Sequence, residues 1–313
     1  MTVEISIVMP VYNEEESVLR TIEEVVTTLE RLGRSWEIIA VDDGSRDRSA
    51  SVLREVNSRE PRVKVVSFRA NFGQTAAMAA GIQFSSGATV ITIDADGQND
   101  PSEIPRLLTE IDNGADLVAG WRKSRQDSIS RRLPSRIANW LIANSTGVKL
   151  HDYGCSLKAF RSEVIKDVVL IGEMHRMIPI LVKRNGGDIR ELAVNHRPRT
   201  AGTSKYGLSR TPRVIADLLV ARFLLASTTK PMYLFGKFSI VGLIVALISG
   251  GAALYYKLAG LKDFIQTPLP LLTAFSLMFA SLVFLLGLLA ELLVRIHFQQ
   301  VGPPYKVRWT LGL

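Results

Sequence analysis

Val90-Ile91-Thr92-Ile93-Asp94-Ala95-Asp96-Gly97-Gln98 runs from four β-branched residues straight into two carboxylates one residue apart. A short apolar run without polar alternation predicts a strand buried on both faces, and the acidic turn marks its carboxyl end. Working outward, similar runs occupy 5–9, 37–41, 63–67 and 116–119, with 88–93 as the fourth of the five. Between them, helical periodicity covers 14–32, 47–58, 74–85 and 101–112. Strands alternating with helices of this length predict right-handed βαβ units, hence an α/β domain with a mostly parallel sheet flanked by helices. Ligands of such sheets gather beyond the carboxyl ends of the strands. The polar punctuation falls there: Tyr12-Asn13-Glu14, Asp42-Asp43-Gly44-Ser45 and Asp94-Ala95-Asp96.

Asp94 and Asp96, on a turn leaving a strand, suit a hard divalent cation, Mg²⁺ or Mn²⁺, which prefers oxygen ligands and shares its shell with diphosphate oxygens. Gln98 could add a carbonyl oxygen. The same tripeptide also occurs as a turn former or a cap for a helix opening near Pro101. The cluster at 42–47 has the same two readings, helix cap or contact to a base or ribose edge. No glycine-rich dinucleotide fingerprint follows the first strand and no P-loop occurs, so those two nucleotide-binding modes are excluded.

Composition divides the chain. Up to about residue 231 it is polar and charged, whereas 238–295 is almost wholly apolar. Basic residues exceed acidic ones, 38 to 30, giving a net charge of +8. This excess suits phosphates or an acidic lipid surface. Nucleic acid is not expected as a partner, because no zinc finger, aromatic stacking motif or long basic tract accompanies the charge. Cys155 is the only cysteine, so no intrachain disulfide forms. The first residues lack a basic segment followed by an apolar one, so the front domain is expected in the cytoplasm. Residues 238–256 and 264–290 are uncharged stretches of 19 and 27 residues. Each is long enough to cross a hydrocarbon core of about 30 Å. As a hairpin they place both termini in the cytoplasm, in agreement with flanking Lys and Arg. Residues 213–225 read as an amphipathic helix on the membrane surface, and 134–145 as a further helix.

In order along the chain stand Ile7-Val8-Met9-Pro10-Val11-Tyr12-Asn13-Glu14-Glu15, Val41-Asp42-Asp43-Gly44-Ser45, Arg69-Ala70-Asn71-Phe72-Gly73 and Asp94-Ala95-Asp96-Gly97-Gln98. This series resembles the family-two glycosyltransferases, inverting enzymes of the Rossmann-like GT-A fold. The resemblance covers about residues 3–210. It implies a nucleotide pocket lined by Pro10, Tyr12, Asn13, Glu14, Asp42, Asn71, Gly73 and Asp94, with Asp94, Asp96 and Gln98 holding metal and diphosphate. Gly172-Glu173-Met174-His175-Arg176, the 199–206 stretch and Gly302-Pro303-Pro304-Tyr305 are similar to the dolichol-phosphate-mannose-synthase subgroup, and within it to bacterial undecaprenyl-phosphate glucosyltransferases. That similarity implies UDP-glucose as donor, undecaprenyl phosphate as acceptor, a multi-pass inner-membrane protein and a homo-oligomer, a tetramer in relatives. Trp121-Arg122 and Tyr153-Gly154-Cys155-Ser156 depart from the subgroup's usual pattern.

A phosphate monoester already carries an anionic oxygen near neutrality, so its transferase needs cations more than a general base. Arginine forks match phosphate geometry. Arg122, Arg131, Arg132, Arg136, Arg197 and Arg199 supply them. Arg131, Ser135, Arg199, Ser204 and Lys205 are expected at the acceptor phosphate and Arg122 at the diphosphate. Asp96, Arg122 and Asp152 form the expected catalytic set, with Asp152 as base or sugar contact. The expected organisation is a catalytic domain over 1–212, a juxtamembrane segment over 213–231 and a two-helix hairpin with a short cytoplasmic tail over 232–313. Two other readings compete. A processive polysaccharide synthase would need a Q-x-x-R-W motif, but Tyr305 stands where Gln should precede Arg308-Trp309. A membrane-tethered sugar-nucleotide sensor would keep the donor pocket without the arginines.

Overall fold

The structure is a computed structural model and describes residues 2–123, 148–168, 170, 174–198, 231–300 and 305–313. The chain divides into two compact units, Met1–Leu218 with Pro303–Leu313, and Leu219–Gly302.

In the first unit, β1 (Ile5–Val11), α1 (Val18–Leu32), β2 (Trp36–Asp42), α2 (Ser49–Arg59), β3 (Val63–Phe68), α3 (Gln74–Phe84) and β4 (Thr89–Thr92) follow the expected alternation. Then come α4 (Ile104–Asp112), β5 (Leu117–Trp121), β6 (Lys158–Arg161), α5 (Ser162–Lys166), α6 (Ile178–Arg184) and β7 (Ile189–Ala193). The last strand, β8, spans Val307–Leu311. All eight form one sheet in the order β7-β5-β6-β4-β1-β2-β3-β8. β1 pairs in parallel with β2 and β4, β2 with β3, and β5 with β7, while β6 and β8 run antiparallel to their neighbours. The sheet is therefore mixed, parallel through its centre and flanked by helices.

Successive residues of a strand face opposite sides of the sheet, and the core divides accordingly. Ile38 and Ala40 join the cluster formed with Val18, Ile22, Val25 and Leu29 of α1, whereas Ile39 and Val41 join Ala76, Ala77 and Ala80 of α3. The three-and-four spacing of those α1 residues is what a helix with one buried face requires. α1 starts four residues later than its periodicity suggests, because 13–17 form a turn in which the Ser17 and Val18 amides donate to Glu14 O.

β8 was not among the expected strands, and with residues 303–313 it belongs to the first unit rather than to a tail of the hairpin. Its pattern is a period-two alternation, Val307, Trp309 and Leu311 half-buried and Arg308 and Thr310 exposed. Arg54 lies over the Trp309 ring, 4.2 Å from its centroid.

The second unit contains α7 (Pro231–Leu258) and α8 (Leu269–Gln300). Within them Phe235–Leu258 and Leu269–Ala290 are long and apolar enough to cross a membrane. Small residues let the two helices approach: a Cβ at Gly242 would lie 3.2 Å from that of Ala280, and Ser249 Oγ meets Thr273 Oγ1 at 2.9 Å. Large apolar side chains such as Ile240, Leu247, Leu271 and Leu285 point outward. The helices expected over 134–145 and 213–225 lie outside the described residues.

Candidate active site

The turns leaving β1, β2 and β3 are tied to one another by their own polar side chains. The Asn13 amide donates to Ser45 Oγ at 3.0 Å, and Asn13 Oδ1 accepts from the Arg46 amide at 2.8 Å. Asn13 has a φ of 52°, a left-handed conformation that asparagine tolerates better than most residues. The Glu14 amide donates to Ser49 Oγ at 2.8 Å, and Ser17 Oγ donates to Glu14 Oε2 at 2.8 Å. Gly44 has a φ of 68°, and any Cβ there would lie 2.4 Å from the Ala70 carbonyl carbon. Only glycine lets the second and third turns pack this closely.

The two neighbouring aspartates after β2 differ in role. Asp42 accepts from the Ser45 amide at 3.0 Å and from Ser67 Oγ at 2.9 Å. Asp43 is buried and accepts from Asn71 Nδ2, the Phe72 amide and the Gly73 amide at 2.9, 2.7 and 2.9 Å. Burial, with the nearby Asp42 charge, pushes Asp43 up to about 6 despite those donors. Asn71 and Gly73, expected at the nucleotide, are thus engaged by Asp43, which shapes the loop that carries them.

β4 delivers Asp94 and Asp96 beside these turns, since it pairs with β1 through Val8 and Thr92. Gln74, the first residue of α3, donates to Asp94 Oδ1 at 2.8 Å, and the Gln98 amide donates to Asp96 Oδ1 at 3.1 Å. Enclosure of the carboxyl and the like charge of Asp96 push Asp94 up to about 6. Two crowded carboxylates, one already raised by the other, are a donor set that a hard divalent cation would relieve. Among the described residues no group of three His, Cys, Asp or Glu converges, and Asp94 and Asp96 are the two carboxylates they would offer such an ion.

Arg122 and Asp152 form a buried fork, Nε to Oδ2 at 2.7 Å and Nη2 to Oδ1 at 2.9 Å. Burial alone would raise Asp152, but Arg122 and Lys158 outweigh it and hold the carboxyl below its usual range. Burial would likewise lower Arg122, but Asp152 keeps it firmly charged. A carboxylate so engaged is a poor proton acceptor, and this geometry makes Asp152 the residue that fixes Arg122. Lys158 is buried, donates to the Cys155 and Tyr153 carbonyls, and is lowered by that burial. Sequence reading passed over Lys158 and Gln74; Lys158 opens β6, whose four residues are Lys-Ala-Phe-Arg, and no spacing marks it out.

The turn after β4 also holds the beginning of the basic stretch. Asn99 and His196 form a β-bridge, the Arg197 amide donates to Gln98 O at 2.8 Å, and Arg197 Nη2 donates to Asp100 Oδ1 at 2.8 Å. Arg197 also pairs with Glu24, so its guanidinium anchors this stretch rather than facing an acceptor. Arg131, Ser135, Arg199, Ser204 and Lys205 lie outside the described residues. Pro10, Tyr12, Asn13, Glu14, Asp42, Asp94, Asp96, Gln98, Arg122 and Asp152 all fall at the carboxyl end of the sheet or on the turns there.

The profile described as Glycosyl transferase family 2 matches residues 6–169. A dodecaprenyl-phosphate galacturonate synthase of Rhizobium johnstonii is 40% identical over 98% of this chain and 93% of its own length. An undecaprenyl-phosphate 4-deoxy-4-formamido-L-arabinose transferase of Pectobacterium atrosepticum is 38% identical over 98% of this chain and 94% of its own. Among solved structures, mannosyl-3-phosphoglycerate synthase from Rubrobacter xylanophilus superposes with a TM-score of 0.58 at 18% identity, covering 71% of this chain and 74% of that one. Glucosyl-3-phosphoglycerate synthase from Mycobacterium tuberculosis, solved with Mn²⁺, UDP and phosphoglyceric acid, gives a TM-score of 0.52 at 22% identity, covering 70% and 78%. Both share the fold.

Proposed function

The chain belongs to glycosyl transferase family 2, and on that premise we propose that it transfers a sugar from a nucleotide-sugar to the phosphate of a polyprenyl phosphate at the cytoplasmic face of a membrane. The observation that carries this reading is the convergence of Asp94 and Asp96 with the turns after β1 and β2, while the same 98–100 turn holds the start of the basic stretch. Donor diphosphate and acceptor phosphate would thus meet on one rim. The two relatives named for polyprenyl-phosphate sugar transfer span nearly the whole chain and support the acceptor class.

In the reaction, an acceptor phosphate oxygen attacks the anomeric carbon as the bond to the diphosphate breaks on the opposite face. The nucleoside diphosphate leaves, and the configuration inverts. Near neutrality the acceptor needs no deprotonation by the protein. Asp42 and the braced 13–17 turn hold the nucleoside, Arg122 faces the diphosphate, and Asp152 keeps Arg122 aimed. Mg²⁺ or Mn²⁺, held by Asp94 and Asp96, would neutralise charge on the departing diphosphate. The hairpin, both crossings complete, anchors the enzyme in the membrane.

Glucose is one candidate sugar; the two relatives are named for a uronate and a formamido-arabinose. The test is a panel of labelled UDP-glucose, UDP-galacturonate and UDP-4-deoxy-4-formamido-arabinose, incubated with purified protein and undecaprenyl phosphate. Label extracted into organic solvent as a single lipid supports the reading. Label in polymer favours the synthase, and no transfer from any donor sinks the proposal.

A further inference from the structure

The C-terminal segment reaches the donor-side turns through a continuous set of contacts within the first unit. β8 pairs with β3 from Leu311 opposite Val65 to Val307 opposite Phe68, with the register shifting between Ser67 and Phe68. Just past that pairing, the Arg69 amide donates to Lys306 O at 3.0 Å. Tyr305 is buried and lies flat on Phe68, ring centroids 4.8 Å apart and planes 13° from parallel. Its hydroxyl bonds Gln83 of α3. Phe68 in turn meets Phe72 edge-on at 5.8 Å. The Phe72 and Gly73 amides are donors to Asp43, and Gln74, next in the chain, holds Asp94.

We propose that Tyr305 is a positioning residue for the donor site: its stack on Phe68 fixes the 69–74 loop that sets Asp43 and aims Gln74 at Asp94. The segment after the hairpin is therefore a working part of the site. This deepens the transferase reading and rests on it. Three features argue for a role beyond closing the sheet edge. The tyrosine precedes β8 rather than lying within it. Its ring contacts the last residue of β3, where the strand hands over to the loop. And Phe68, on which it stacks, meets Phe72 edge-on, so the ring contact continues into the loop that leads to Gln74.

The experiment uses the full-length protein in detergent or nanodiscs, with Kd for the UDP-sugars and UDP measured beside KM, kcat and the melting midpoint. A stacked aromatic pair contributes enough that its loss weakens binding by up to about tenfold. Tyr305→Ala is expected to raise donor Kd and KM by about that factor, with the KM for polyprenyl phosphate unchanged. Tyr305→Phe, which keeps the ring, is expected to restore donor binding. In a Phe72→Ala background, Tyr305→Ala is expected to add little, since both act through one contact path. Wild-type donor affinity in Tyr305→Ala overturns the proposal, as do additive effects in the double variant. If Tyr305→Ala does not fold, Tyr305→Leu replaces it and the Tyr305→Phe comparison still decides: donor affinity that follows the hydroxyl rather than the ring also overturns it. A wild-type protein that binds none of the nucleotides defeats the transferase reading itself, a distinct result from binding that ignores Tyr305.

Discussion

The guanidinium of Arg122 and the carboxylate of Asp152, 30 residues apart in sequence, close a two-pronged ion pair at 2.7 and 2.9 Å with both side chains largely withdrawn from water. The Gly154 amide adds a further donor to Asp152 Oδ1 at 3.0 Å. The pair holds the Asp152 carboxyl below its usual range and gives Arg122 one orientation.

Removing one partner leaves a buried, uncompensated charge, a loss that typically costs about 3–5 kcal/mol. Asp152→Asn is expected to lower the melting midpoint and to cut kcat sharply. If Asp152 only aims Arg122, the remaining activity keeps the wild-type pH profile. A shifted or vanished acidic limb in that profile would instead reveal a proton-transfer role.

Asp96→Ala should reduce transfer by at least about a hundredfold, the scale on which charge-stabilising groups act. Its circular dichroism spectrum should match the wild type, because the bond from the Gln98 amide to Asp96 lies within a local turn. Chelation should abolish wild-type transfer, and added Mg²⁺ or Mn²⁺ should restore it. Activity that survives exhaustive chelation removes the metal from the scheme.

Asp43 gives a pH signature of defined sign. Its carboxyl titrates at about 6 in the folded protein, above its value in an unfolded chain. Between roughly pH 4 and 6 the folded state holds a proton that the unfolded state has released, so rising pH removes stability across that window, by about 3 kcal/mol in all. Outside it the contribution is flat. Asp43→Asn cannot titrate, and the difference between the two denaturation free energies should fall with pH over that interval. A difference that stays level, or rises, contradicts the assignment.

Gly44 and Gly33 separate backbone strain from crowding. Both have positive φ, but a Cβ at Gly33 meets nothing within 4 Å, whereas one at Gly44 strikes the Ala70 backbone. Gly33→Ala should cost about 1–2 kcal/mol, the strain of a left-handed residue. Gly44→Ala should cost more and also weaken donor binding, because the second and third turns must part. Equal losses in urea titrations of the two variants would show that the turns yield easily.

The central strands were legible because a strand buried on both faces reads as a short run of β-branched, mostly apolar residues, as 90–93 does. The acidic turns were legible because polar residues at the carboxyl ends of parallel strands have little structural reason to recur. Other features depend on contacts that spacing does not encode. Asp42 and Asp43 are adjacent and chemically identical, and only the folded position of Phe72 and Gly73 assigns Asp43 to the loop. Arg197 looked like one more phosphate-binding arginine until Glu24 and Asp100 were seen to claim it. β8 is a short half-buried edge strand that pairs with a partner some 240 positions earlier, so no local turn announces it.

Because the front unit is interrupted by residues 219–302 and resumes at Pro303, translation order makes 307–311 the last strand of its sheet to be synthesised. The ribosome releases the partner strand of β3 only after both apolar helices have emerged. Until that strand pairs, β3 carries an open edge on which another chain could pair.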